Sequence, residues 1–142
     1  MSSYLNFFLV PKKKEDETNE PKPLLLNSYS RAGNLYHYFM NELNVAYCDD
    51  EENPYTELNN EKCRRVLDSV KDLIETTKKS LDILYKVAQK TSTTDSDITA
   101  NILEKEEYLQ ELNEDLAKLK AICDIICDIE YSDFEKVLIN YD

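Results

Sequence analysis

Glycine occurs once in the 142 residues, at Gly33, and tryptophan does not occur at all. A single glycine excludes the glycine-rich loops that cradle nucleotide phosphates, so no P-loop or dinucleotide fingerprint can be written. With four prolines beside it, the chain is short of tight turns, which favours long helices over a many-stranded sheet. Histidine also occurs once, as His37. A serine or cysteine nucleophile would have to take its base from that residue, and no recognisable spacing supports this. The four cysteines, Cys48, Cys63, Cys123 and Cys127, form no CxxC pair and read as small apolar core residues. Long hydrophobic runs are missing too. Tyr4 to Val10 is apolar but too short to span a membrane, and it lacks the basic flank of a secretion signal. The expected location is the cytoplasm, with reduced thiols.

Hydrophobic residues make up 42% of the chain and charged residues 32%, a balance that suits one domain with a modest core and much solvated surface. The net charge of −12 is unevenly distributed. Residues 1–48 carry five basic and five acidic groups, and Asp49-Asp50-Glu51-Glu52 adds four negative charges. Residues 54–90 hold eight basic against six acidic groups, and residues 91–142 hold four against fourteen. This balance disfavours direct nucleic-acid binding and repels anionic membranes.

Three segments carry the architecture. Tyr4 to Val10 reads as a strand ending at Pro11, and Pro23 to Tyr29 as a second strand paired with it. Ser28 or Ser30 is placed to cap a short helix with Leu35, Tyr36, Phe39, Met40 and Leu43 at helical spacing. Asn53-Pro54 then suggests a helix start. From there to about Lys90 apolar residues recur in steps of three and four, and they do so again from about Asp97 to Ile129. Thr91 to Asp97 is the turn between these helices. Ser132-Asp133-Phe134-Glu135 fits a capping box and predicts a short terminal helix.

The expected fold is therefore mainly α: a long antiparallel helical hairpin, coiled-coil-like, with a small N-terminal β-hairpin and short flanking helices. Its parts are residues 1–52, 53–129 and 130–142 of one domain. The preferred register sets Thr91 opposite Ile98, Leu73 opposite Leu116 and Cys63 opposite Ile126. In that pairing the basic arm lies along the acidic one, and flanking ion pairs are expected to favour it.

Chemistry is sparse by the same reading. Cys123 and Cys127 share a helix face and could join His37 and Cys48 around a metal, but the surrounding isoleucines argue for core. Glu106-Glu107 and Glu114-Asp115 read as a solvated face rather than catalytic carboxylates. No cofactor, metal or catalytic residue is expected. The candidate partner contacts are the first strand (Tyr4, Leu5, Phe7, Phe8 and Leu9) and the acidic run Asp49, Asp50, Glu51 and Glu52. The strand is apolar on both faces and must be sandwiched, and one companion strand leaves an edge for strand addition.

The expected role is a non-catalytic protein–protein interaction or assembly protein that binds a protein partner or itself. The alternative is an acidic inhibitor that blocks a basic, nucleic-acid-binding site on a partner. Low glycine with abundant asparagine, lysine, isoleucine and tyrosine suggests an AT-rich genome. That composition is similar to small bacteriophage proteins, which implies a phage- or mobile-element-encoded structural or accessory component, with the virion as its location in place of the cytoplasm if it is phage-encoded.

Overall fold

The computed structural model describes residues 4–15, 18–91, 96–128 and 133–142, with the side chain of Cys127 outside that set. Its elements in chain order are β1 (Tyr4–Pro11), β2 (Leu24–Ser30), α1 (Asn34–Glu42), β3 (Thr56–Leu58), α2 (Asn60–Thr91), α3 (Ser96–Cys127) and β4 (Phe134–Tyr141). The strands form one sheet in the order β2-β1-β4-β3, with every neighbouring pair antiparallel. β3 and β4 are adjacent partners, so the helical hairpin is in effect the connection of a β-hairpin.

Two long helices packed against each other and an N-terminal antiparallel β-hairpin agree with the sequence reading. The C-terminal segment does not. Residues 134–141 form a strand, where residues 130–142 were expected to form a helix. The capping signal is local, whereas Val137, Ile139 and Tyr141 alternate and enter the core at 3%, 0% and 2% exposure. Pairing along the second edge of β1 outweighs the local preference. Ser132, the expected cap, lies outside the described residues.

The start of the first long helix also moves. Asn53-Pro54 precedes a short strand, and α2 begins at Asn60, so the hairpin does not extend from residue 53. Asn59 is the cap: its Oδ1 accepts from the Lys62 N–H at 2.9 Å, and its carbonyl accepts from the Cys63 N–H. At α1 the N-cap is Gly33, with no side-chain cap bond. Ser30 instead shapes the preceding turn, through its hydroxyl to Ala32 N and its carbonyl to Gly33 N. Most of the turn between α2 and α3 is residues 92–95, which lie outside the described set, as does Ile129.

One face of the sheet is covered by all three helices. Leu5, Phe7, Tyr36, Phe39, Val66, Val70, Leu112, Leu119 and Ile139 belong to a single buried cluster. Phe7 meets Tyr29 and Phe39 edge-on, at centroid separations of 5.4 and 5.5 Å.

Within the hairpin α2 is rotated from the expected facing, which placed Leu73 in the seam opposite Leu116. Leu73 is 39% exposed while Ile74 beside it is 7% exposed, and the Cys63 thiol hydrogen-bonds to Cys123. The apolar stripe on each arm is broader than a two-helix seam needs, so the third layer sets the rotation. Val66 turns into the shared core, and Leu73 lies beside Tyr38 and Asn41 at the end of α1. The hydrogen bond from the Cys63 thiol holds the Cys123 thiol below its ordinary pKa.

The expected pairing of charges between the arms is not seen. Among the described residues no ion pair joins α2 to α3, and the Arg65–Glu61 pair lies within α2 at 3.7 Å. What crosses instead is a hydrogen bond from the Tyr85 hydroxyl to the Glu106 carboxylate. Apolar burial holds the arms together, and most of their charges face solvent, the buried Asp115 of α3 excepted.

Each arm is about 48 Å long at the helical rise of about 1.5 Å per residue, and an eight-residue strand spans only about 26 Å. The hairpin therefore overhangs the sheet. Burial reflects this: Leu81 is the last buried residue along α2, and Leu112 is the first along α3.

Candidate functional site

β1 was expected to offer a free edge, but it is interior to the sheet. β2 pairs with one side and β4 with the other. Leu5 and Phe7 are buried under the helices, Phe8 and Leu9 are half-buried, and Tyr4 is 45% exposed. As a contact surface, β1 is reduced to the outward-facing Tyr4 and Phe8.

Of the two edge strands, β3 is three residues long and β2 is the longer, with a sequence, LLLNSYS, that carries no charge. Leu24, Leu25 and Leu26 are 53%, 61% and 51% exposed, which is unusual for three consecutive leucines on an edge strand. A register shift between Phe7 and Phe8 leaves Leu26 without a partner, since Asn27 pairs with Phe7 and Leu25 with Phe8. Leu25 and Leu26 point to opposite faces of the sheet, as strand alternation dictates, while the bulge leaves Leu26 and Asn27 on the same side. Leu26 borders an apolar crevice of about 270 Å³ with Phe7, Tyr29, Ile122, Ile126 and Val137. Ile125 at its rim is 52% exposed. Leu25 borders a shallower basin of about 630 Å³ on the outer face, beside Tyr4, Phe8 and Tyr55.

The floor of that basin is polar and hydrogen-bonded. The Ser28 hydroxyl donates to Asn6 Oδ1 at 2.6 Å, and Asn6 Nδ2 donates to Asn140 Oδ1 at 3.1 Å. Asn140 Nδ2 then donates to the Pro54 carbonyl at 3.0 Å. Asn6 and Asn140 are cross-strand partners, so one amide chain ties three strands and a loop together. Phe8 and Tyr55 meet edge-on above it at 5.2 Å.

The acidic run Asp49–Glu52 is exposed and forms a turn. Asp50 Oδ1 accepts from the backbone N–H groups of Glu52 and Asn53, at 3.0 and 3.2 Å. None of the run's four residues lines the basin beside Leu25, although Cys48 and Pro54, on either side of the turn, do.

Asp115 departs most from the sequence reading, being 6% exposed rather than part of a solvated face. It accepts hydrogen bonds from the Tyr38 hydroxyl at 2.8 Å and from Asn34 Nδ2 at 3.1 Å, and the same amide reaches Glu111 at 2.6 Å. Cys48 is exposed rather than core. His37 is also exposed, with Nε2 2.8 Å from the Arg31 carbonyl and its ring edge-on to Tyr36. Among the described residues no group of three or more metal-ligating side chains comes together, and no helix is long and apolar enough to cross a membrane.

Burial pushes the Tyr38 hydroxyl well above the ordinary phenol pKa, and its bond to Asp115 adds to the rise. Burial likewise raises Tyr141, beside Tyr36 and Tyr47, and its hydroxyl has no hydrogen-bond partner among the described residues. Unfolded phenols ionise near pH 10, whereas these two resist ionisation in the fold. Their contribution to stability is therefore complete below about pH 10 and declines above it. In an alkaline titration, tyrosinate absorbance is expected to rise first for exposed tyrosines. The two buried phenols should ionise later, together with loss of helical circular dichroism. A single phase near pH 10 with intact helicity would contradict this.

No family model matches the chain, and neither a curated protein nor a solved structure matches it at a significant level. Functional reading therefore rests on its own surfaces.

Proposed function

We propose that the protein is a non-catalytic interaction or assembly protein that captures a short, extended, apolar segment of a partner protein along β2. The single observation carrying this reading is the uncharged, unpaired edge with Leu24, Leu25 and Leu26 exposed beside the crevice. An added strand gains main-chain hydrogen bonds from the edge, and its alternate side chains reach the two sides of the sheet. Apolar side chains on one side enter the crevice beside Leu26, and those on the other cover Leu25 and Tyr4. The bulge at Leu26 interrupts the edge, which disfavours open-ended stacking of identical strands and suits one short segment.

An array of short immobilised peptides tests the reading. Bound sequences should alternate in apolar character and should slow amide exchange along β2. Leu25→Lys is expected to reduce peptide binding at least tenfold while leaving the thermal midpoint nearly unchanged, because Leu25 is already 61% exposed. Binding that survives Leu25→Lys, or that protects amides elsewhere, would remove the β2 edge from consideration.

A second reading, an acidic protein that blocks a basic site on a partner, gains from one observation. The carboxylates of α3 are not ion-paired with the cations of α2 among the described residues. Together with the exposed Asp49–Glu52 turn they present an acidic surface. Affinity for a basic partner that falls steeply between low and moderate salt would support this reading over the apolar edge.

A further inference from the structure

Two of the cysteines meet where α2 packs on α3. Cys63 lies in the first turn of α2 and is 2% exposed. Cys123 lies near the end of α3, half-buried, against the core cluster to which Cys63 belongs. The Cys63 thiol donates a hydrogen bond to the Cys123 sulfur, so the two sulfurs face each other across the hairpin with only that hydrogen between them. A role as small apolar core residues accounts for each cysteine alone. It does not call for two thiols from separate helices in contact. Cys48, by contrast, is exposed.

We propose that Cys63 and Cys123 form an oxidation site, which hydrogen peroxide closes into a reversible disulfide between the two long helices. Burial assigns the roles. Cys123 has solvent access and reacts first, while the enclosed Cys63 resolves. The hydrogen bond from Cys63 lowers the pKa of the Cys123 thiol and so enlarges its thiolate fraction. The Cys123 thiolate attacks one peroxide oxygen, forming an S–O bond as the O–O bond breaks. The departing hydroxide takes up the proton that Cys123 released and becomes water. The Cys63 sulfur then attacks the Cys123 sulfenic sulfur. An S–S bond forms, the S–O bond breaks, and the oxygen leaves as a second water with the Cys63 proton. Two thiols and one peroxide thus become one disulfide and two waters, and the peroxide accepts the two electrons. A dithiol reverses the step by exchange. Because the sulfurs already face each other, closure needs little movement of either helix.

The test is peroxide treatment of the full chain carrying Cys48→Ser, which removes the exposed thiol without touching the core. Equimolar hydrogen peroxide should lower the mass by about 2 Da, the two thiol hydrogens. Non-reducing peptide mapping should place the link between Cys63 and Cys123, and dithiothreitol should restore the starting mass. Helical circular dichroism should be retained, and the thermal midpoint should rise, because the link restrains the unfolded chain. Brief alkylation of the reduced, folded protein should modify Cys123 ahead of Cys63 and abolish closure. A link to Cys127, a link between chains, or oxidation that leaves Cys63 a free thiol would overturn the proposal. So would closure accompanied by loss of helicity, since the sulfurs would then meet only after unfolding. Alkylation of Cys63 ahead of Cys123 would overturn the assigned roles.

Discussion

Leu112→Ala is expected to destabilise the protein by about 2–5 kcal/mol, the range for emptying a fully packed leucine site. Leu73→Ala is expected to cost under about 1 kcal/mol. Both leucines belong to three-four apolar rhythms, and from spacing alone they are equivalent. In the fold Leu112 has no exposed surface and joins the cluster with Val70 and Ile74, while Leu73 is 39% exposed. The difference follows from rotation of α2 toward the third layer, which moves Ile74 into the seam and Leu73 to its margin. Equilibrium denaturation in urea measures both costs. Equal losses would mean that Leu73 is a seam residue and that the hairpin is rotated from the arrangement described here.

The same contrast shows what was legible in the sequence. Periodicity over tens of residues gives α2 and α3, because a sustained apolar stripe has few other uses. It also gives β1 and β2, where short apolar runs stop at proline or at turn residues. It fails for β4. FEKVLINY serves either period over eight residues, and what decides is the second edge of β1, a partner more than a hundred residues away. β3 is only three residues long and is defined almost wholly by its pairing with β4. Losing β4 from the reading misplaced the free edge as well: with two strands β1 keeps an open side, and with four that side is filled. The apolar character of β1 was taken to demand cover on both faces; the helices cover one, while on the other Tyr4 is 45% exposed and Phe8 half-buried. The leucines of β2 were visible in the sequence, but with β1 assumed to be the edge they read as its companion.

Asp115→Ala is expected to cost about 1.5–3 kcal/mol, because it removes a charged acceptor from buried hydrogen bonds. In the sequence Asp115 is one of many carboxylates on an acidic helix. In the fold it is the point at which α1 is fastened to α3, receiving both the Tyr38 hydroxyl and the Asn34 amide. Asn34 has a further task. Glu111 and Asp115 are like charges one helical turn apart, an arrangement that is unfavourable on a helix, and the single amide donates to both. Tyr38→Phe alone leaves Asp115 with the amide and removes a donor rather than an acceptor, so it should cost less than Asp115→Ala. The double variant should cost less than the two single losses added, since neither residue then retains a buried group awaiting the other. A coupling energy of about 0.5–3 kcal/mol from that cycle is expected for groups in direct contact. Strict additivity would show that the carboxylate and the phenol act independently. In that case α1 would be held to the hairpin by Tyr36 and Phe39 in the apolar core, and the polar contact would contribute nothing to docking.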